Sequence, residues 1–366
     1  MRILVAHAPQ LLVRELVGRG HELLVAHYPG EWAASPPGAT ACRFVAFPPR
    51  AKADPRSIWQ MRRLIVAWRP DIVHAFSPRS LAAAVLATVC LPRPPAIMSF
   101  RGISSPPHWH DLADRFSFLS PRVGSHACES EAVADGLVQA GIPRHSCHVV
   151  YNCVEPGAVG GRDRPEARAA LGLPADAFVV GSIASIRPVK GIDILLRAAR
   201  ECLDLPDLRV VIIGPVKDAA VERLARDPGW RGRLLLPGFV PRAGGLAGAF
   251  DVFAMPSRAE GLCRALLEAM SQGICPVVSD AGGMKEVVRA GRDGLVVPRG
   301  DVPALAAAIR HLHGRRGLIH DLGAEARHRV AALCSPAAMA ERVERAYRRV
   351  LGHPADRLPA EQARAA

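Results

Sequence analysis

Short runs of valine, isoleucine and leucine recur along the chain, separated by stretches whose apolar residues follow a helical spacing. Apolar runs of about four to eight residues between turn signals are typical of strands that are buried on both faces. Seven such runs come first, at residues 2–6, 22–26, 43–47, 71–75, 96–100, 123–128 and 147–151. Six more follow, at residues 178–183, 209–213, 233–236, 251–255, 275–279 and 294–297. The pattern predicts two series of strands that alternate with helices.

Alternating strands and helices predict an α/β fold, because right-handed βαβ units build mostly parallel sheets. Residues 156–165, rich in proline, glycine and arginine, separate the two series. We therefore predict two Rossmann-like domains that face each other across a cleft, with an N-terminal domain at residues 1–155 and a C-terminal domain at residues 166–335. Residues 336–366 are predicted to form a basic amphipathic helix that crosses back over the domains and a frayed tail.

The positive charge of the chain limits the classes of partner that it is expected to bind. Its 366 residues include 47 basic and 34 acidic side chains, a formal net charge of +13 at pH 7. Nucleic acid, anionic lipid or an anionic substrate would each suit such a charge. Basic residues are spread over both halves and aromatic residues are few, which argues against nucleic acid as a partner. We favour contact with an anionic membrane surface.

Metal and disulfide frameworks are not expected. Nine cysteines are scattered without a Cys-x-x-Cys pair, which is typical of reduced thiols. His108 and His110, next to Asp111, suggest a metal site at first sight, but polar loop groups explain them better. The longest apolar run, residues 81–91 interrupted by Thr88, is too short to cross a bilayer. We expect a cytoplasmic protein that is peripheral on the inner face of the cell membrane.

The most informative segment is residues 251–271, which read as a buried strand, a turn containing Pro256 and Gly261, and a helix. Glu260 precedes this helix and Glu268 lies within it. Free N–H groups at a helix start attract anionic or hydroxyl-rich ligands, and carboxylates accept well from paired hydroxyls. On this segment alone, an amphipathic helix with solvated acids is an equally good interpretation.

Three further loops follow strand ends. Residues 182–191 present Arg187 and Lys190 just before a helix, which suits an anionic group. Residues 236–240 contain a proline and a glycine that could fix backbone N–H and C=O groups against a base edge. Residues 280–288 place two glycines at a helix start. Taken singly, a solvated charge pair or a tight turn would also explain each loop.

In their order and spacing, these segments resemble the nucleotide-sugar domain of the family 4 retaining glycosyltransferases (glycosyl transferases group 1), which have the GT-B fold. The matching motifs are RPVKGID at 187–193, VIIG at 211–214, LPGFV at 236–240, PSRAEG at 256–261, LLEAM at 266–270, GICPVV at 273–278, GGMKE at 282–286 and GLVVP at 294–298. Softer matches in the first half are RILV at 2–5, GHEL at 20–23, RPDIVHA at 69–75 and YNCVE at 151–155.

The resemblance implies a donor site in the C-terminal domain and an acceptor side in the N-terminal domain. Lys190, with Arg187 beside it, would neutralise the diphosphate, and Glu260 would hold the transferred sugar. Fixed cations at the leaving group lower the barrier as negative charge develops there. The implied donor-binding residues are Gly261, Leu262 and Cys263 for the sugar, Glu268 for the ribose hydroxyls, and Gly238, Phe239 and Val240 for the base. The resemblance also implies retention of anomeric configuration, no metal ion and no separate cofactor, and we favour a UDP-sugar over a GDP-sugar.

Several positions depart from the family pattern. The usual glycine-rich loop after the first strand is shortened to residues 7–10, where His7 is a candidate acceptor-side group. Ser185 stands where the family has an arginine, and Arg187 is the candidate substitute. Arg101 lies near the position of a usual histidine, and we predict it as a cleft cation, with a structural salt bridge as the alternative.

The sequence thus predicts a retaining glycosyltransferase that moves a sugar from a nucleoside-diphosphate sugar to a glycan or lipid-linked acceptor, in lipopolysaccharide, exopolysaccharide or glycolipid synthesis. A non-catalytic GT-B scaffold that binds a partner, and a sugar-nucleotide epimerase of the same fold, are the alternatives. A nicotinamide-linked dehydrogenase is disfavoured, because no Gly-x-Gly-x-x-Gly follows the first strand of either domain.

Overall fold

The computed structural model describes residues 1–32, 42–103, 105–107, 110–155 and 163–352. The chain divides into two compact units: unit 1 comprises Met1–Cys153 together with Pro336–Ala366, and unit 2 comprises Val154–Ser335. Each unit contains a parallel sheet and helices, so the predicted α/β class is confirmed. Most of the predicted linker, the predicted frayed tail, and His108 of the suspected metal loop lie outside the described residues.

Unit 1 is built on a seven-stranded parallel sheet within its described residues. Its strands are β1 (Arg2–Ala6), β2 (Glu22–His27), β3 (Cys42–Ala46), β4 (Ile72–Ala75), β5 (Ala96–Arg101), β6 (Val123–Cys128) and β7 (Cys147–Val149). They lie in the order β3-β2-β1-β4-β5-β6-β7. Ile3 and Val5 of β1 point into one apolar cluster and Leu4 and Ala6 into another, all fully buried. Burial on both faces is the reason that these strands appear in the sequence as continuous apolar runs.

The helices of unit 1 cover both faces of this sheet. They are α1 (Gln10–Gly18), α2 (Pro55–Trp68), α3 (Pro78–Ala87), α4 (Leu112–Arg115) and α5 (Glu131–Gln139). Asp54 caps α2 by accepting from the Arg56 N–H, and Ser77 caps α3 by accepting from the Ser80 N–H. In both helices a proline follows the cap, where its missing N–H costs nothing.

Unit 2 has a second parallel sheet of six strands in its described residues. The strands are β8 (Phe178–Ile183), β9 (Leu208–Ile213), β10 (Leu234–Gly238), β11 (Val252–Met255), β12 (Cys275–Ser279) and β13 (Leu295–Val297), in the order β10-β9-β8-β11-β12-β13. The helices are α6 (Arg164–Ala170), α7 (Ile192–Glu201), α8 (Ala219–Ala225), α9 (Arg264–Ser271), α10 (Met284–Val287), α11 (Val302–His313) and α12 (Arg316–Leu333). All thirteen predicted strands are present, with ends within two residues of the predicted ones.

The last helix, α13 (Pro336–Val350), returns to unit 1 and packs on α1, β6 and β7. Tyr347 is fully buried, and its Oη shares a hydrogen bond of 2.7 Å with Nδ1 of His74. Glu344 is also buried and lies 2.6 Å from Nε2 of His21 through its Oε1. An apolar face with two buried polar contacts therefore fixes this helix against the sheet of unit 1. In the described part of the chain, no helix combines the length and apolar character needed to span a bilayer.

Acid should weaken unit 1 because of its buried histidines. Burial lowers the pKa of His74 to about 3, and burial, followed by neighbouring positive charge, lowers the pKa of His126 to about 4. The pKa of a histidine in an unfolded chain is about 6.5. Below that pH these two histidines are protonated in the unfolded chain but stay neutral in folded unit 1. The stabilisation is complete above about pH 6.5 and falls towards pH 4, by about 1.4 kcal/mol per pH unit for each histidine.

Hydrogen exchange of peptides from β4 and β6, measured between about pH 7 and pH 5 and corrected for the intrinsic exchange rate, would check this. Replacement of His126 by glutamine should reduce the dependence of local opening free energy on pH. The matched control is His145→Gln, since His145 is exposed and should leave the dependence unchanged. An identical pH dependence in both variants would contradict the assignment.

Candidate functional site

The candidate site of unit 2 lies at the carboxyl ends of three neighbouring strands, β8, β11 and β12. Because all strands of this sheet are parallel, the loops that follow them share one edge. These loops contain the 3-10 turn Pro188–Lys190 after β8, residues 256–263 after β11, and residues 280–283 after β12. Three of the motif segments that are far apart in the sequence therefore come together in the fold.

Two glycines allow these loops to approach one another closely. Gly191 has φ 64°, and a side chain there would overlap with the carbonyl group of Pro256. Gly282 has φ 55°, and a side chain there would overlap with the carbonyl group of Glu260. Next to it, the Gly283 N–H donates to the Gly261 carbonyl at 2.8 Å. A side chain at either glycine would therefore separate the loops and strain the backbone.

Lys190 and Glu260 form an ion pair at the centre of this edge. The Lys190 Nζ atom lies 2.5 Å from Glu260 Oε2, and the two side chains are 15% and 12% exposed. Ser257 Oγ donates to the same carboxylate oxygen at 3.2 Å. Two of the residues assigned to catalysis are thus in direct contact, and each keeps a small face open to solvent.

Arg258 holds the β8 turn against the β11 turn. Its guanidinium donates to both carboxylate oxygens of Asp193 at 2.7 Å and to the Pro188 carbonyl at 2.6 Å. The Arg258 guanidinium keeps the pKa of the Asp193 carboxyl below its ordinary value. A two-pronged pair of this kind fixes orientation as well as distance. We therefore describe Arg258 and Asp193 as positioning residues for Lys190.

No local sequence pattern singles out this pair, although both residues lie inside the matched motifs. Arg258 belongs to PSRAEG and Asp193 to RPVKGID. One motif contains an arginine and the other contains an aspartate at the start of a helix. These opposite charges are the sequence signal that could have predicted an ion pair. Their pairing, across 65 positions of sequence, required the fold.

The predicted sugar-binding segment leads into α9. Gly261, Leu262 and Cys263 are buried, and no side chain caps the first turn of this helix. The positive end of its dipole therefore lies at this segment, where the Ala265 and Leu266 N–H groups contact the Cys263 sulfur. Burial, followed by the nearby charge of Glu260, raises the pKa of the Cys263 thiol to about 12, so this thiol stays protonated at neutral pH.

Glu268 lies on α9, beyond its first turn. Its Oε1 accepts from Arg264 Nε at 3.1 Å, and its side chain is 21% exposed whereas that of Arg264 is 76% exposed. A partner so exposed to solvent binds weakly and is readily displaced. The carboxylate can therefore accept hydrogen bonds from a hydroxyl-bearing ligand.

The other predicted donor-binding residues lie at the end of β10, two strands from β8. Gly238 has φ 76°, and its carbonyl accepts from the Gly214 N–H at 2.9 Å. Phe239 is 73% exposed, and Val240 is half-buried. An apolar ring open to solvent at this edge can stack on a planar ligand group.

Arg187 differs from Lys190 in its surroundings. It is exposed at the start of the 3-10 turn, and within the described residues its guanidinium makes no hydrogen bond or ion pair. Ser185 nearby is half-buried. Arg187 therefore borders the site as a solvated cation.

The two predicted acceptor-side residues lie in unit 1. His7 has φ 60°, stacks on Tyr28 with ring centroids 4.0 Å apart, and has Nε2 at 2.9 Å from the Phe47 carbonyl oxygen. Burial lowers the pKa of His7, which keeps the ring neutral at pH 7. The first loop thus contains a fixed aromatic stack instead of a glycine-rich turn.

Arg101 is buried at the end of β5. Its Nη2 donates to the Ser105 carbonyl at 2.6 Å, and its guanidinium carbon lies 4.6 Å from the centre of the Phe118 ring. Burial lowers the pKa of Arg101, and the charge of Asp114 opposes this shift. Its surroundings in unit 1 therefore fix the guanidinium in place.

No group of three or more histidine, cysteine, aspartate or glutamate side chains that could hold a metal ion occurs in the described ranges. His110 and Asp111 of the suspected metal loop are exposed.

Two family models match the chain. "Glycosyl transferases group 1" matches residues 163–329, and "Glycosyltransferase Family 4" matches residues 10–157. Over 202 residues the chain is 35% identical to the D-inositol 3-phosphate glycosyltransferases of Mycobacterium bovis and Mycobacterium tuberculosis, a match that covers 52% of this chain and 41% of each relative. It therefore spans less than half the length of these curated relatives.

Solved structures of low sequence identity share the fold. A glycosyltransferase from Rickettsia africae has a TM-score of 0.77 at 17% identity, over 96% of this chain and 99% of that one. HepE from Anabaena in complex with UDP has a TM-score of 0.75 at 20% identity, over 94% and 98%. The lipopolysaccharide outer core galactosyltransferase WaaB has a TM-score of 0.66 at 15% identity, over 94% and 99%. With both halves matched by family models, the chain belongs to the GT-B glycosyltransferases of family 4, group 1.

Proposed function

We propose that this protein is a retaining, metal-independent glycosyltransferase that takes a sugar from a nucleoside-diphosphate sugar. The observation that carries the proposal is the contact of Lys190 with Glu260 at the start of α9, at 2.5 Å. This places a cation, a carboxylate and the N-terminus of a helix within one small region. The cation and the helix N-terminus suit a diphosphate, and the carboxylate suits the hydroxyls of a sugar.

We also infer an order of events on binding from this ion pair. Lys190 and Glu260 neutralise each other in a mostly buried place. An incoming diphosphate competes with Glu260 for the ammonium group, and the released carboxylate can then accept from hydroxyls of the transferred sugar. As the anomeric C–O bond breaks, negative charge grows on the diphosphate oxygen that leaves, and Lys190 stabilises that charge.

We favour a UDP-sugar as the donor and a glycan or lipid-linked acceptor. HepE, with which the chain shares its fold, has been solved in complex with UDP-glucose, and WaaB is named for lipopolysaccharide outer core synthesis. In unit 1, the exposed apolar side chains suit a contact with lipid: Trp59, Val66, Ile103, Leu112 and Phe116. Together with the net charge of +13, they favour work at an anionic membrane surface.

A panel of UDP-, GDP-, ADP- and dTDP-sugars tests the function. We expect at least one to bind and to be slowly hydrolysed, with activity unchanged by a chelator. Binding without hydrolysis, also in the presence of candidate acceptors, would favour the non-catalytic scaffold, and an epimerised nucleotide sugar would favour the epimerase. If no member of the panel binds, the proposal is wrong.

Replacement of Lys190 by alanine should weaken nucleoside diphosphate binding by about 10-fold to 100-fold, the loss expected for a charge-assisted hydrogen bond to phosphate. Isothermal titration calorimetry with UDP would measure it, together with a thermal melt to show that the variant is folded. Lys52→Ala is the matched control, because Lys52 also pairs with a carboxylate, that of Asp114 at 3.7 Å, but in unit 1. Equal losses in both variants would rule out a specific role for Lys190.

Replacement of Glu260 by glutamine should separate phosphate binding from sugar transfer. The change removes the charge that competes for Lys190, so UDP should bind at least as tightly as to the wild-type protein. Turnover of the sugar donor should fall by about 100-fold or more, as for other lost transition-state contacts. Parallel measurement of the UDP dissociation constant and kcat would show this split. Weaker UDP binding in this variant would contradict the competition between Glu260 and the diphosphate.

The proposed role of Glu268 in binding the ribose can be tested by removing one ribose hydroxyl from the ligand. If its carboxylate accepts from the ribose hydroxyls, wild-type protein should bind UDP about 10-fold more tightly than 2′-deoxy-UDP. In Glu268→Ala this preference should disappear. Arg264→Ala is the control, since it removes the exposed partner of Glu268 and should preserve the preference. A preference that survives loss of Glu268 would assign the ribose to other groups.

A further inference from the structure

A cavity of about 290 Å³ lies in unit 1, between the edge strand β7, the start of α5 and the arginine-bearing side of α13. It is separate from the donor residues, which all belong to unit 2. Small-molecule sites usually measure about 300 to 1,000 Å³. The cavity is therefore suited to a small ligand, such as one phosphate group with a short substituent.

The lining of this cavity is strongly basic. Arg144, Arg342, Arg345 and Arg349 line it, and Glu131 is the one carboxylate among its lining residues. Four positive charges against one lining carboxylate leave an excess of three, which falls to two when Glu341, paired with Arg345 at 2.8 Å, is counted. In a concave surface with low-dielectric walls, such an excess concentrates the electrostatic field and attracts anions.

The arginines differ in how firmly they are held. Arg144 pairs with Glu131 at 2.5 Å and donates to the Cys147 carbonyl at 3.0 Å, which fixes its direction. Arg349 is exposed, and in the described part of the chain its guanidinium makes no hydrogen bond or ion pair. The orientation of the Arg144 guanidinium is thus fixed, whereas all N–H donors of the Arg349 guanidinium are available to a ligand.

The pKa of His148 depends on the positive electrostatic potential inside the cavity. Its pKa is lowered to about 4, first by burial and then by the positive charges of Arg349, Arg144 and His145. Its ring is therefore neutral at pH 7 and lies among cations. The other charged residues that line the cavity are Glu131, Arg342 and Arg345.

We propose that this cavity is a binding site for a phosphate group. Guanidinium groups bind phosphate oxygens through two parallel hydrogen bonds, and they keep their charge at any physiological pH. Arg349 supplies free donors, Arg144 supplies fixed ones, and Glu131 competes with the ligand for Arg144. The phosphate group belongs either to a soluble phosphate ester or to the headgroup of an anionic lipid.

The test follows the ring signals of His148 by NMR in the full chain, with histidines labelled selectively, during titration with inorganic phosphate at pH 7. We expect a saturable shift with a dissociation constant of about 1 mM or tighter. Replacement of Arg349 by glutamine should weaken binding by about 10-fold or more. Glu131→Gln should tighten it, because the competing charge is removed.

Arg348→Gln is the matched control. Arg348 is the next residue on α13, carries the same charge and pairs with Glu344 at 3.5 Å, but it does not line the cavity. This variant should bind phosphate within about 2-fold of wild type. Lys190→Ala should also leave the His148 titration unchanged, which separates this cavity from the donor site. Absence of a saturable shift, or equal weakening by the Arg349 and Arg348 variants, would overturn the proposal.

Two further ligands identify the source of the phosphate. Glycerol 3-phosphate serves as a soluble ester, and vesicles of phosphatidylglycerol, compared with phosphatidylcholine, present the same group at a surface. If Arg349→Gln abolishes sedimentation with phosphatidylglycerol while Arg348→Gln does not, the ligand is a lipid headgroup. If glycerol 3-phosphate shifts His148 and sedimentation is insensitive to Arg349, the ligand is soluble.

Discussion

Close backbone contact between the loops after β8, β11 and β12 is the constraint on which the candidate donor site depends. Gly191 and Gly282 permit the contact, and the pair of Arg258 with Asp193 locks one side of it. Lys190 is thereby brought to Glu260. A site assembled in advance in this way loses little entropy on binding, because its charged groups are already oriented.

The same constraint explains why opposite charges can occupy a mostly buried site. An ammonium group or a carboxylate alone would be costly to bury, and the pair of Lys190 with Glu260 neutralises both. In the proposed function, a diphosphate sugar would exchange one pairing for two, because its phosphates would take the cation and its hydroxyls the carboxylate. Binding of the leaving group and binding of the transferred sugar would then be coupled through one pair of side chains.

The sequence predicted the strands well and the long-range contacts poorly, for physical reasons. Strands buried on both faces must be apolar throughout, so runs such as Phe178–Ile183 are visible without any structure. Contacts such as that of His21 with Glu344 join residues 323 positions apart, and no local pattern specifies them. The loops after β8, β11 and β12 fall between these cases. Their motifs predicted Lys190 and Glu260 as site residues, whereas only the fold showed that Arg258 contacts the turn that contains Lys190.

Helix α13 carries a small part of the net charge of +13, because its four arginines face two glutamates of the same helix. From sequence, α13 is a basic amphipathic helix, a pattern that is also typical of helices lying in a membrane interface. Its apolar side chains Met339, Val343 and Tyr347 are fully buried against unit 1, so that face is not available to insert among lipid chains. Any contact that this helix makes with an anionic surface must therefore use its arginines. Such a contact is electrostatic, sensitive to salt and selective for phosphate, in contrast to the apolar side chains exposed on α2.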